Sequence, residues 1–152
     1  MITTLKNMSI MKSKILLFAI ISVLTLTNLK SMAQDNPNPE SSDKLVVLWT
    51  SGDPYVAERV AFMYTHAAKK NQWFEEVTLV VWGPSAKLIS ENQKLQEKVK
   101  AMQQDGVKIK ACIACASSYN VVDELKTLGF KVKGMGKPLT EYLKSDAKVL
   151  TF

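Results

Sequence analysis

The chain has 152 residues, 47% of them apolar, and carries a formal net charge of +6 from 20 basic and 14 acidic residues. This composition is that of a globular protein and excludes a disordered or collagen-like chain. Lysine and glutamate are interleaved along the sequence, so the clustered basic face of a nucleic-acid-binding protein is not expected.

The first 33 residues have the features of a secretory signal peptide. Lysines precede a mostly apolar run at residues 15–26, and Ser31-Met32-Ala33 forms a small-x-small cleavage signal. The apolar run is shorter than the ~20 residues that cross a bilayer. We therefore expect cleavage between Ala33 and Gln34 and a periplasmic or secreted protein that is not inserted in the membrane.

Removal of the signal peptide changes the charge and leaves room for one domain. Residues 1–33 hold four lysines and no acid, so the remainder has 16 basic and 14 acidic residues, a balance of +2. Residues 34–43 (QDNPNPESSD) have no apolar side chain beyond proline and predict a flexible linker. A single domain is expected over residues 44–152.

Apolar runs and helical periodicities alternate through this domain. Continuous apolar runs are typical of strands buried on both faces of a parallel sheet. The predicted strands are residues 44–49, 77–82, 107–111, 130–133 and 148–152. This alternation predicts an α/β fold with a mostly parallel five-stranded sheet between layers of helices.

The sequence also marks several helix ends and one buried helix face. Asp53 is the predicted N-cap of the first helix, with Pro54 as its first residue. Ser85 is the predicted cap of a short helix, and Asn120 that of a helix stopped by Gly129. The residues predicted to form the buried face of the first helix are Val56, Val60, Met63 and Ala67.

Both cysteines lie where the third predicted strand leads into a helix. Cys112 ends the strand, and Cys115 follows about one helical turn later, close enough for a disulfide if the loop permits. Backbone amides at a helix N-terminus lower the pKa of a cysteine and so favour its reactive thiolate. The alternative interpretation is that both cysteines are small buried residues of the core.

Three segments together resemble the DsrE/DsrF-like superfamily of small sulfur-handling proteins. They are GVKIKACIACASSYNV at 106–121, WTSGDP at 49–54, and Gly134-Met135-Gly136 before a leucine-bearing helix. The resemblance covers essentially all of residues 44–152. It implies a three-layer α/β/α sandwich with a flavodoxin-like topology and assembly as a homo-oligomer, either a trimer or a hexamer.

The resemblance also implies a role for the cysteines. In the sulfur-relay members, a cysteine at the end of the third strand carries a persulfide and passes it to a partner protein, and that position matches Cys112. A Cys112 thiolate would take the outer sulfur of a donor persulfide. Cys115 could resolve the persulfide, which would release sulfide and leave a disulfide. We therefore expect sulfur-carrier or sulfurtransferase-like activity with Cys112 and Cys115 as the site.

Two other functions fit the same residues. The first is a dithiol oxidoreductase, although the Trp-Cys-Gly-Pro context of thioredoxin-like proteins is absent. The second is a non-catalytic assembly module whose cysteines are structural or hold Cu(I) or Zn²⁺. Structural zinc needs four ligands, so Cys112 and Cys115 alone cannot complete a site. His66, the only histidine, is expected to be a surface or packing residue.

No cofactor is expected from the motifs of the chain. Gly134-Met135-Gly136-Lys137 lacks the spacing of a phosphate loop, and the dinucleotide glycine fingerprint is absent from the sequence. The residues Trp49, Trp82 and Met135 lie at predicted strand ends. They either line a pocket at that edge of the sheet or belong to the core or to a subunit interface.

Overall fold

The computed structural model describes residues 43–152. The predicted signal peptide, and the predicted linker except for Asp43, lie outside the described residues. Within residues 43–152, no helix has both the length and the apolar character needed to cross a membrane.

Strands and helices alternate throughout the described part of the chain. The strands are β1 (Lys44–Trp49), β2 (Glu76–Val81), β3 (Lys108–Cys112), β4 (Lys131–Lys133) and β5 (Lys148–Thr151). Helix α1 runs through three consecutive parts, Pro54–Val56, the π-helical Ala57–Ala61 and Phe62–Lys70. The remaining helices are α2 (Pro84–Glu91), α3 (Gln93–Gln104), α4 (Ile113–Ser118), α5 (Val122–Thr127) and α6 (Gly136–Lys144).

The five strands form one wholly parallel sheet in the order β4-β3-β2-β1-β5. The predicted α/β fold is therefore confirmed. The strand order differs from the 2-1-3-4-5 order of flavodoxin, because the chain proceeds from β1 to β4 in one direction before it returns to place β5 beside β1. Right-handed crossovers then put the helices of the first three connections on one face and α6 on the other.

The two faces of the sheet are covered unequally. Helices α1 to α5 bury their apolar side chains on one face, in a large cluster that includes Leu79, Ile89 and Leu125. In this cluster the Trp49 ring packs edge-on against Phe62, with 4.8 Å between centroids. The cluster on the other face is small, and the described helices contribute to it only through Tyr142 of α6 and Cys115 of α4. Part of this second face is therefore left open.

Helix α1 buries a different face from the one that the sequence predicts. Val60 and Met63 are 39% and 63% exposed, whereas Ala57, Ala61 and Phe62 are buried. The predicted stripe is wrong for two reasons. Alanines allow the helix to lie close to the sheet, and the π-helical turn at Ala57–Ala61 shifts the periodicity on which the prediction rests.

The loop after β1 is held by a side-chain cap and by the last described residue. The Asp53 carboxylate accepts hydrogen bonds from the backbone N–H groups of Tyr55 (2.7 Å) and Val56 (3.3 Å), which confirms the predicted N-cap. The Phe152 carbonyl accepts hydrogen bonds from the Thr50 N–H (2.7 Å), the Ser51 N–H (3.3 Å) and the Thr50 hydroxyl (2.9 Å). The carboxyl ends of β1 and β5 are thus tied together.

Two predicted caps have other roles in the structure. Gly83, not Ser85, precedes α2, and the buried Ser85 hydroxyl joins the ends of β1 and β2. It accepts from the Trp82 N–H (3.0 Å) and donates to the Trp49 carbonyl (2.7 Å). Asn120 ends α4 rather than beginning α5, since its φ of 57° is a left-handed conformation that asparagine tolerates. The sequence had not indicated α4 as a helix of its own.

The buried Ser85 hydroxyl gives a first prediction. Ser85→Ala should lower the free energy of unfolding by about 1 kcal/mol, because the buried Trp49 carbonyl loses one of its two hydrogen-bond donors and keeps only the Trp82 N–H. Ser90→Ala, on the same helix, removes a hydroxyl that bonds only the nearby Lys87 carbonyl and should cost less than about 0.5 kcal/mol. Urea unfolding of both variants measures the difference, and equal stabilities would contradict the role assigned to Ser85.

Candidate functional site

The candidate site lies at the carboxyl ends of β2, β3 and β4. Cys112 is the last residue of β3 and also the N-cap of α4, with extended backbone angles (φ −74°, ψ 117°). Cys115 lies one turn further along α4. The predicted position of both cysteines, at the junction of the third strand and a helix, is confirmed.

The Cys112 side chain is shielded from solvent. It is 4% exposed and packs with Val46, Val80 and Met135 in the small cluster on the α6 side of the sheet. Cys115 and Trp82 are partly buried residues that pack against the same cluster. A reagent in solution therefore has little direct access to the Cys112 sulfur.

The Cys115 thiol is more accessible and lies beside that of Cys112. Both cysteines are free, and Cys115 is only partly buried. Burial raises the pKa of the Cys115 thiol above its ordinary value, the adjacent Cys112 thiol raises it further, and the backbone amide of Gly83 opposes both effects. The two sulfurs thus form a neighbouring pair in which the neutral thiol of Cys115 is favoured.

Gly83 supplies its amide from an unusual backbone conformation. Its φ of 66° and ψ of −136° lie in a region that glycine adopts readily and other residues avoid. The residue directly precedes Pro84, the first residue of α2. The turn between β2 and α2 therefore places a backbone amide beside Cys115.

Four lysines of β3 and β4 lie on the same sheet face as Cys112. In the register of the sheet, Lys110 is opposite Lys131 and Cys112 is opposite Lys133, so these side chains share one face. Lys108, two residues before Lys110, lies on this face as well. We call Lys108, Lys110, Lys131 and Lys133 the lysine strip. The charge pattern along the chain did not predict this cluster. The signal that could have found it is the alternation in KIKAC at 108–112 and KVK at 131–133.

The other candidate residues of the sequence do not join this site. His66 on α1 pairs with Asp105, after α3. Among residues 43–152, no group of three or more His, Cys, Asp or Glu side chains could hold a metal ion. Trp49 and Met135 are fully buried and Trp82 is half-buried, so these residues belong to the core and its border.

The known proteins that resemble this chain include two whose structures have been solved. BT1422 of Bacteroides thetaiotaomicron, a conserved protein of unknown function, shares 34% identity with a TM-score of 0.70 over 72% of this chain and 95% of its own. YchN of E. coli shares 16% identity with a TM-score of 0.54 over 72% of this chain and 99% of its own, a likeness of fold. No curated protein is matched.

The family is shown by a match over most of the chain. A model of the DsrE/DsrF-like family matches residues 43–152, which is the whole of the part that the structure describes. The five-stranded parallel sheet with its helices agrees with this match. The chain belongs to the DsrE/DsrF-like family.

Proposed function

We propose that this protein carries sulfane sulfur as a persulfide on the Cys112–Cys115 pair. The observation that carries the proposal is the contact of two free thiols at the carboxyl end of β3. Family membership supports it, because sulfur-relay members carry a persulfide at the position that matches Cys112. Two neighbouring thiols can pass one sulfur atom between them by exchange.

The different exposure of the two thiols assigns them different steps. The sequence predicts that Cys112 attacks the donor, but its burial favours Cys115 as the thiol that a donor meets first. In our proposal the Cys115 thiolate attacks the outer sulfur of a donor persulfide. A new S–S bond forms at Cys115, the S–S bond of the donor breaks, and the donor leaves as a thiol.

The second step moves the sulfur inward. The Cys112 thiolate attacks the outer sulfur of the Cys115 persulfide, which returns Cys115 to a thiol and leaves a persulfide on Cys112. No electrons are gained or lost overall in either step. The apolar surroundings of Cys112, formed by Val46, Val80 and Met135, then protect the persulfide from water and oxidants until an acceptor thiol removes it.

We also propose that the protein acts outside the cytoplasm as a homo-oligomer. The signal-peptide pattern of residues 1–33 supports export. Val60 and Met63 of α1 support association, because they point away from the core and are exposed. We call these two residues the apolar stripe of α1. Contiguous exposed apolar residues often mark protein–protein contacts. The occupant of this stripe in our proposal is a second copy of the chain.

Sulfur loading tests the proposed chemistry. After incubation with inorganic polysulfide, intact-protein mass spectrometry should show one added sulfur atom on the wild type and on Cys112→Ser. Cys115→Ser should load at least roughly tenfold more slowly, because Cys112 would react only when the structure opens locally. Equal loading of wild type and Cys115→Ser would overturn the assignment of the steps, and no loading of any variant would overturn the carrier function.

The same experiment separates the rival dithiol function. A wild type that loses two hydrogens and returns to the dithiol with a reductant, while Cys112→Ser and Cys115→Ser gain no sulfur, would be a dithiol oxidoreductase instead of a carrier. Fragmentation of the peptide that contains both cysteines assigns each mass change to Cys112 or Cys115.

The pH dependence of alkylation tests the coupling of the two thiols. The rate at which iodoacetamide modifies Cys115 should rise with pH around a midpoint above the ~8.5 of an ordinary cysteine, because burial raises its pKa. Cys112→Ala removes a second cause of the raised pKa, so the midpoint should fall, while burial keeps it above the ordinary value. A midpoint that stays fixed or rises in Cys112→Ala would contradict the contact between the thiols.

Light scattering tests the proposed assembly. Met63→Lys should reduce the molar mass of the particle in solution, because it places a charge in the apolar stripe of α1. Leu143→Lys makes the same change on α6 at nearly equal exposure, 64% against 63%, and should leave the assembly intact. A wild type of monomer mass, or dissociation by the α6 variant alone, would contradict the proposed interface.

A further inference from the structure

The lysine strip concentrates positive charge in a small area. Neighbouring strands lie about 4.8 Å apart, and residues i and i+2 of one strand about 6.6 Å apart. Lys110, Lys131 and Lys133 therefore leave the sheet within a cell of roughly 5 by 7 Å whose fourth corner is Cys112, and Lys108 lies about 7 Å further along β3. Like charges opposite each other in a sheet are destabilising, so this arrangement favours a bound anion.

Protein carboxylates neutralise only one end of the strip. Lys108, which lies furthest from Cys112, forms an ion pair with Glu76 at 2.7 Å. The Lys110 ammonium contacts the Tyr142 hydroxyl and lies 5.1 Å from the centroid of that ring, which provides no full negative charge. Among the described residues, no carboxylate forms a salt bridge with Lys110, Lys131 or Lys133. The uncompensated charge thus lies at the end nearest the thiols.

The surroundings of the strip suit a small ligand. Helix α6 covers the neighbouring part of this sheet face, with Tyr142 packed in the cluster of Val46 and Val80. Beyond Tyr142, the strip lies on the part of the sheet formed by β3 and β4. Lys110 and Lys133 are half-buried there, while Lys108 and Lys131 are exposed. A small anion reaches these two half-buried side chains more easily than the broad surface of a protein does.

We propose that the lysine strip is an anion-binding site that selects the sulfur donor of the cysteine pair. The ligand class is a small molecule in which sulfane sulfur is bonded to an oxyanion, and thiosulfate is the probe. Lys133 lies in register with Cys112 and Lys131 lies two residues before Lys133, so an oxyanion held by both would lie on the side of the strip next to the cysteine pair. The identity of the donor rests on the proposed carrier function, but the anion site does not.

The transfer from such a donor balances without a further reactant. The Cys115 thiolate attacks the outer sulfur of thiosulfate. One S–S bond forms at Cys115, the S–S bond of thiosulfate breaks, and sulfite leaves with the bonding electrons. The lysine ammonium groups stabilise the doubly charged donor as it approaches and the sulfite as it departs.

Alkylation by a charged and a neutral reagent tests the anion site without any sulfur chemistry. The ratio of the rate constants of iodoacetate and iodoacetamide at Cys115 reports the electrostatic potential at the thiol. Lys133→Gln should lower this ratio about threefold at low ionic strength, as expected for one charge at roughly 7 Å in water. Lys131→Gln with Lys133→Gln should lower it by close to tenfold, and the effect should disappear in 1 M salt.

Two controls make the test specific. Lys133→Arg keeps the charge and should keep the wild-type ratio. Lys100→Gln makes the same charge change on the exposed side of α3, on the opposite side of the sheet, and should not alter the ratio. A ratio that is unchanged in the double variant would overturn the anion site, and this is the result expected if a second copy of the chain covers the strip.

Sulfur loading then tests the donor. Thiosulfate should load the wild type, and its apparent KM should rise in Lys133→Gln, whereas loading by neutral elemental sulfur should respond much less. If thiosulfate, elemental sulfur and polysulfide all fail to load the protein, the carrier function fails and the alkylation ratios still decide the anion site. If elemental sulfur loads it and thiosulfate does not, the carrier function stands and the proposed donor class is wrong.

Discussion

The structure depends on the packing of one parallel sheet against two unequal layers. Five helices cover one face, so β1 and β2 supply apolar side chains there without interruption. One helix of nine residues covers part of the other face. The side chains of β3 alternate between these two faces. Ile109 and Ala111 point toward the large core, and Lys108, Lys110 and Cys112 point toward the open side. This asymmetry puts the Cys112 sulfur atom and several positive charges on the same face of the sheet.

The candidate site follows from the local geometry at the end of β3. Cys112 closes the strand and caps α4 with its backbone, while the next turn brings Cys115 back beside it. The glycine between β2 and α2 places an amide beside Cys115. The arrangement has a shielded thiol next to a more accessible one. This difference in exposure is the basis of the two-step transfer that we propose.

Structural features encoded by residues that are adjacent in the sequence could be predicted. Features that need residues far apart in the sequence to come together could not. The strands, the Asp53 cap and the cysteine junction were recognisable because each is encoded in a few adjacent residues. The buried face of α1 was not, because a π-helical turn interrupts the period at Ala57–Ala61. The burial of Cys112 depends on Met135, and the lysine strip depends on the register of β3 with β4. Both arise only when distant segments come together.

The bond network at Phe152 affects where ligands can be held. In open α/β sheets, ligands usually occupy the crevice where the strand order reverses, which in this protein lies between β1 and β5. Here the backbone carbonyl of Phe152 already accepts hydrogen bonds from the amides of Thr50 and Ser51. These amides would otherwise be free to bind a phosphate or a carboxylate. The polypeptide itself therefore occupies the backbone donors at this crevice. The proposed cysteine site lies two strands further across the sheet, at the carboxyl end of β3.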